Sequence, residues 1–164
     1  MIINSLGVNN TKRIVIISLI LCIVSGIVIF AFCNRSKKTI CLQESNQKDY
    51  KLSTKYKIYS KKDIVLKVVS NTIVESSSKK QLNEMKKYYN KQYKSFNEMY
   101  SGYDYDIVLK NNKLYSNVTI NYKKYDMKKF IYYNGAMKDF VNDKKQYTLE
   151  GAIKYYKSIG ASCS

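Results

Sequence analysis

Asp104 and Asp106 stand two apart in the stretch YDYDIVLK. Carboxylates at that spacing on an extended strand share one face, as a general acid and its partner base must if a substrate is to lie between them. The nearby lysines give the plainer alternative, a solvated strand face whose charge is balanced by its neighbours. The chain contains no histidine, which removes Ser-His and Cys-His nucleophiles, the commonest base near neutral pH and most zinc sites. Its six glycines form no phosphate-cradling motif. No catalytic residue, cofactor or metal ligand is assigned, and the chain reads as a non-enzyme.

Four cysteines are present. Cys22 lies within an apolar run and Cys33 at its end, which leaves Cys41 and Cys163 for the domain that follows. Pairing these two would close a loop of 122 positions, worth about 4 to 5 kcal/mol in the chain-entropy model. Such a disulfide implies an oxidising, extracytoplasmic compartment; two separate buried thiols are the alternative.

The net charge is +17. Only Lys12 and Arg13 precede the apolar run, so the rest of the chain, with 27 of the 29 basic and all 12 acidic residues, carries +15. A charge of this size draws in polyanions over long range, and the partner classes it suggests are lipid head groups, an anionic envelope polymer or nucleic acid. Arg13 and Arg35 are the only arginines. Lysine, a hydrated point charge, lacks the planar fork that reads guanine edges, so nucleic acid is disfavoured. Lys51, Lys55, Lys57, Tyr59 and Tyr115 supply a candidate anionic-ligand face. A solvated surface with incidental charge, on a domain that docks an unknown protein partner, is the competing reading.

The elements that must position these residues follow from periodicity. In KLSTKYKIY, Leu52, Thr54, Tyr56 and Ile58 alternate with Lys51, Ser53, Lys55 and Lys57, the pattern of a half-buried strand. That strand is expected to begin near Ile40, with an irregularity around Ser45 to Lys48. After a turn at residues 60–63, the β-branched run from Ile64 to Val74 returns as its hairpin partner. Ser76 to Ser78 offer helix caps, and Leu82, Met85, Tyr89, Tyr93, Phe96 and Tyr100 recur every three or four residues up to Gly102. A second hairpin turns at Asn111-Asn112, between alternating Tyr103, Tyr105, Ile107, Leu109 and Leu114, Val118, Ile120, Tyr122. Thr148 caps a last helix with Leu149, Ile153, Tyr156 and Ile159 on one face, ended by Gly160. The order ββαββα predicts an α+β fold, a curved antiparallel sheet packed on one long helix.

Residues 14–32, IVIISLILCIVSGIVIFAF, run 19 positions without a charge, which at about 1.5 Å per helical residue nearly spans a hydrocarbon core of about 30 Å. The expected organisation is a basic cytoplasmic tail (1–13), a transmembrane anchor or uncleaved signal (14–33), a stalk (34–39) and an extracytoplasmic α+β domain (40–164). Bulky Phe30 and Phe32 at the end of the run favour retention over cleavage. Two basic residues before the run compete with Arg35, Lys37 and Lys38 after it, so the positive-inside rule gives no orientation.

The runs SGYDYDIVLKNNKLYSNVTINYKKYDMKKF (101–130) and YTLEGAIKYYKSIGASC (147–163) resemble the YehR-like bacterial lipoproteins, small extracytoplasmic domains without an assigned function. The resemblance spans roughly residues 40–163. It implies a cystatin-like helix-on-sheet fold and an outward-facing domain, with the terminal cysteines of some relatives matching Cys41 and Cys163. It carries over no catalytic residue. The chain departs at the lipid-attachment site, where Phe32 stands before Cys33 and a small residue is needed. The expected function is a membrane-anchored, single-pass, lipoprotein-like binding module of the cell envelope with affinity for anionic ligands. The alternative is a structural or protein-interaction domain of a membrane-associated assembly.

Overall fold

The structure, a computed structural model, describes residues 36–164, which form one unit. Its strands are β1 (Lys37–Asn46), β2 (Lys51–Lys61), β3 (Ile64–Glu75), β4 (Tyr103–Lys110), β5 (Lys113–Asn121) and β6 (Ser162–Cys163). Helix α1 (Lys79–Met99) joins β3 to β4, α2 (Met127–Tyr133) and a 3-10 helix (Gly135–Phe140) follow β5, and α3 (Leu149–Ser158) precedes β6. All six strands belong to one antiparallel sheet in the order β4-β5-β3-β2-β1-β6.

The turns explain the meander. Lys62 and Asp63, and again Asn111 and Asn112, all have positive φ between 47° and 64°, the twist a two-residue hairpin loop requires and one that Asn and Asp tolerate best. Ser78 caps α1 by accepting from the Gln81 amide at 3.2 Å, while the Ser76 hydroxyl donates to Gln81 Oε1 at 2.7 Å. Gly102, at φ +82°, lets the chain leave α1 where a Cβ would stand 2.7 Å from the Asn121 carbonyl oxygen. That position needs glycine on both counts.

One face of the sheet is covered along its length. Leu82 of α1 meets Val74 and Leu114, all fully buried. Tyr100, Tyr103, Val118 and Tyr125 form a second cluster with Phe96 beside it. Beneath α2 and α3 lie Cys41, Ile58, Val65, Val68 and Tyr147, met by Ile131 of α2 and Tyr156 of α3. Each aliphatic side chain wholly buried here contributes about 1.5 to 3 kcal/mol.

Three expectations are corrected. The order is not ββαββα: residues 37–46 form a separate strand, because the chain reverses at Gln47–Tyr50, where the Gln47 amide donates to the Tyr50 carbonyl at 2.9 Å. Strand β1 thus begins within the segment expected as a stalk. A single long helix does not cover the sheet either; α2, capped by Asp126 accepting from the Lys129 amide at 3.0 Å, and α3 roof its other half.

The third correction concerns the membrane. Among the described residues no helix is long and apolar enough to cross one. Helix α1 has the length, 21 residues, but carries six lysines and two glutamates. The span expected at 14–33 lies outside the described residues. The fold is therefore that of an α+β domain without a supported membrane helix. The signal-anchor, the lipoprotein-like module, the single-pass topology and contact with membrane lipid depended on that helix and are withdrawn, and the extracytoplasmic side, which the cysteine pair assigned to a chain so anchored, is withdrawn with them.

Candidate functional site

Alternation along a strand sends every second side chain to the face away from the helices. On β2 that face receives Lys51, Ser53, Lys55, Lys57 and Tyr59, while Leu52, Thr54, Tyr56 and Ile58 turn inward. Cross-strand pairing extends it: Ser53 lies opposite Ile73, and Ile73 opposite Tyr115. The five residues expected at an anionic-ligand face thus share one side of the sheet. Among the described residues no element packs over it.

Two rows cross this face from strand to strand. One runs Lys55, Asn71, Asn117, Asp106; the next runs Lys57, Val69, Thr119, Asp104. The Asn71 side-chain amide donates to Asn117 Oδ1 at 2.7 Å, fixing the middle of the first row. Each row therefore carries a lysine at its β2 end, a carboxylate at its β4 end and uncharged residues between. With strands about 4.7 to 4.9 Å apart, three strand spacings separate the charges, about 14 Å. They are too far apart to pair within the chain.

A third row, Ser53, Ile73, Tyr115, Val108, adds apolar surface, with Val108 43% exposed at its end. Toward the ends of the face two further lysines are engaged. The Lys67 ammonium sits 4.7 Å from the centre of the Tyr59 ring. Lys113 Nζ meets Glu75 Oε1 at 2.7 Å, and this hydrogen bond, reinforced by the lysine's charge, holds the Glu75 carboxyl below its ordinary range. On such exposed groups the pairing is worth little.

The helix-covered face carries the covalent feature. Cys41 on β1 lies opposite Cys163 on β6, and the sulfurs are bonded at 2.03 Å. Ile40 and Ser164 exchange both backbone hydrogen bonds beside them, 3.0 and 2.9 Å. The cysteines thus occupy a non-hydrogen-bonded pair, where antiparallel side chains come closest.

A cavity of about 400 Å³ opens between the start of β3, the β5–α2 connection and residues 144–147. Tyr122, Tyr125 and Tyr147 form its floor, and Lys123, Lys128, Lys144 and Lys145 its rim. Burial pushes all three phenols above their ordinary range, so they stay protonated donors. Sequence reasoning missed this site because its residues come from three separate segments with no shared spacing; the dipeptides Lys123-Lys124 and Lys144-Lys145 were the available signal. Its lysines are exposed and face open solvent.

Among the described residues no group of His, Cys, Asp and Glu could hold a metal. The close carboxylates, Asp104 and Asp106, have Thr119 and Asn117 as their row neighbours. No catalytic constellation is assembled among these residues.

Neither a family model nor a curated protein matches the sequence. Two solved structures resemble the fold. The NMR structure of the E. coli YehR protein is 18% identical, covers 79% of this chain and 91% of its own, and superposes with a TM-score of 0.50. An NMR structure of a protein from Streptococcus pneumoniae TIGR4 is 12% identical over 80% of this chain and 86% of its own, with a TM-score of 0.47. The likeness to YehR is one of fold, a distant similarity at the level of a small α+β domain. It lends no support to lipid head groups or an envelope polymer as partners, and those expectations go no further.

Proposed function

We propose that this domain is a non-catalytic interaction module that works through the open face of its sheet, where Lys51, Lys55 and Lys57, with Tyr59 and Tyr115, receive a protein surface bearing carboxylates. The observation that carries this reading is the contrast between the two faces. One is sealed by α1, α2 and α3; the other presents a lysine strand beside Val69, Ile73 and Tyr115, with no described element over it. Apolar centres flanked by charge favour docking of a complementary protein surface over loose attraction of a polymer. The fold likeness, together with the cysteine pair, leads us to group the domain with the YehR-like domains.

The test is nuclear magnetic resonance on the isotopically labelled full chain titrated with a polyglutamate peptide at low salt. Shifts should concentrate on the outward positions of β2, β3 and β5 and fade as salt is added. Lys55→Glu/Lys57→Glu should weaken binding about tenfold or more, since like charges then oppose each other. Lys86→Glu/Lys87→Glu on α1, the control of equal charge, should leave these shifts in place. Shifts spread evenly over all lysines would reject the reading.

A further inference from the structure

The two charged rows have a symmetry of their own. Consider a twofold axis parallel to the strands, midway between β3 and β5 and lying just above the open face. Rotation about it brings a second copy face to face with the first, exchanging β4 with β2 and β5 with β3. Because the pairing register puts each aspartate in the same row as a lysine, Asp106 then lies over Lys55 and Asp104 over Lys57. Asn117 meets Asn71, Thr119 meets Val69, and Tyr115 meets Ile73.

We infer that the carboxylate-bearing partner of the open face is a second copy of this chain, held in a twofold dimer by Lys55–Asp106 and Lys57–Asp104 pairs made twice. This rests on the open face being the docking surface. Three observations favour a second copy over a foreign acidic protein. Two adjacent rows of the face are charge-complementary to themselves, each with a lysine on β2 and an aspartate on β4. That complementarity repeats in two adjacent outward rows, which a generally basic surface would not give; in the terminal row Lys51, Glu75, Lys113, Lys110 the same rotation sets Glu75 over Lys113 and Lys51 over Lys110. The aspartates, about 14 Å from Lys55 and Lys57 of their own chain, form no ion pair among the described residues.

The geometry suits sheet packing. A twofold along the strands lays one twisted sheet on another with strand directions aligned, as in sandwiches, where facing sheets lie about 10 Å apart. A long lysine and a short aspartate side chain together bridge such a gap. The pairs would sit at the edges of the contact, with Val69, Ile73 and Tyr115 toward its centre, the arrangement of apolar middle and polar rim that specific interfaces show. A twofold contact also uses one patch twice and closes on itself, leaving no open end for further growth.

A charge exchange tests this by sedimentation equilibrium of the full chain. Wild type should dimerise, more weakly as salt rises. Lys55→Asp/Lys57→Asp should place four aspartates against four, and Asp104→Lys/Asp106→Lys four lysines against four; each should weaken association about tenfold or more. An equal mixture of these two variants should restore dimers, and so should the fourfold variant carrying all four exchanges, which has the wild-type net charge. That last protein keeps the test decisive if either double variant folds poorly. A wild type that stays monomeric, or dimers indifferent to every exchange, would overturn the inference. If the monomeric wild type still gave localised polyglutamate shifts, the open face would stand as a docking surface for a different partner; loss of both results would remove both readings.

Discussion

Cys41 and Cys163 face each other across β1 and β6 and are joined, although 122 positions separate them in the chain. Strand β6 is only two residues long, so its place at the sheet edge depends on that bond and on the Ile40–Ser164 exchange beside it. Cys41→Ser or Cys163→Ser should lower unfolding stability by about 2 to 5 kcal/mol. Denaturant unfolding checks this, and wild type measured in reductant should fall to the level of the variants.

Burial raises the Tyr56 phenol from 10.0 to about 12, with its hydroxyl donating to Gln43 Oε1 at 2.7 Å. A phenol that holds its proton more tightly when folded gives its full contribution below the unfolded value near 10. That contribution is lost as pH rises through the folded one. Stability should therefore be flat below pH 10.0 and fall between there and about 12. Tyr103, Tyr125 and Tyr147 are raised by burial in the same direction and should extend the decline upward. Phenolate absorbance and circular dichroism, followed together, should show ionisation and unfolding arriving at once; free ionisation of all tyrosines near 10 with the fold intact would contradict this.

Thr54 and Thr72 pair their hydroxyls at 3.0 Å on the inner face of the sheet, and Thr54 is 4% exposed. Thr72→Val leaves the Thr54 hydroxyl without its partner and should cost about 1 to 3 kcal/mol, whereas replacing both threonines by valine should be nearly neutral. A double-mutant cycle by chemical denaturation gives the comparison.

Gly151 lies where a Cβ would come 2.1 Å from the Phe140 carbonyl oxygen; at Gly135 nothing stands within 4 Å. Gly151→Ala should force α3 away from the 3-10 helix and cost about 1 to 3 kcal/mol or more. Gly135→Ala should stay within about 0.5 kcal/mol. Thermal unfolding of the two variants side by side is the check.

What could be read from the sequence follows from how far a signal extends. The alternation in β2, the branched run of β3, the spacing of Leu82 to Phe96 in α1 and the Asn111-Asn112 turn are all local patterns, and they gave strands, helix and hairpin. Strand β1 was folded into β2 because Ile40 and Leu42 face outward while Cys41 and Gln43 face inward, so hydrophobicity barely alternates along it. Helix α2 has seven residues, too few for a helical period to stand out. The lysine face was legible from parity alone. Its alignment with Asp104 and Asp106 was not, because a row across four strands depends on the register of three hairpin and crossover pairings, and a slip of one residue in any of them would send a side chain to the opposite face.

Joining the first strand to the last also governs how the domain bears load. Tension entering through Ser36 and Ser164 reaches Cys41 and Cys163 within a few residues and crosses at the sulfur bridge, so the ladders between β2, β3, β5 and β4 hang slack in a side loop of the force path. A pull that would unzip an ordinary edge strand meets a covalent link instead. The domain then behaves as a short rigid connector, and only reductant would let it pay out as extended chain.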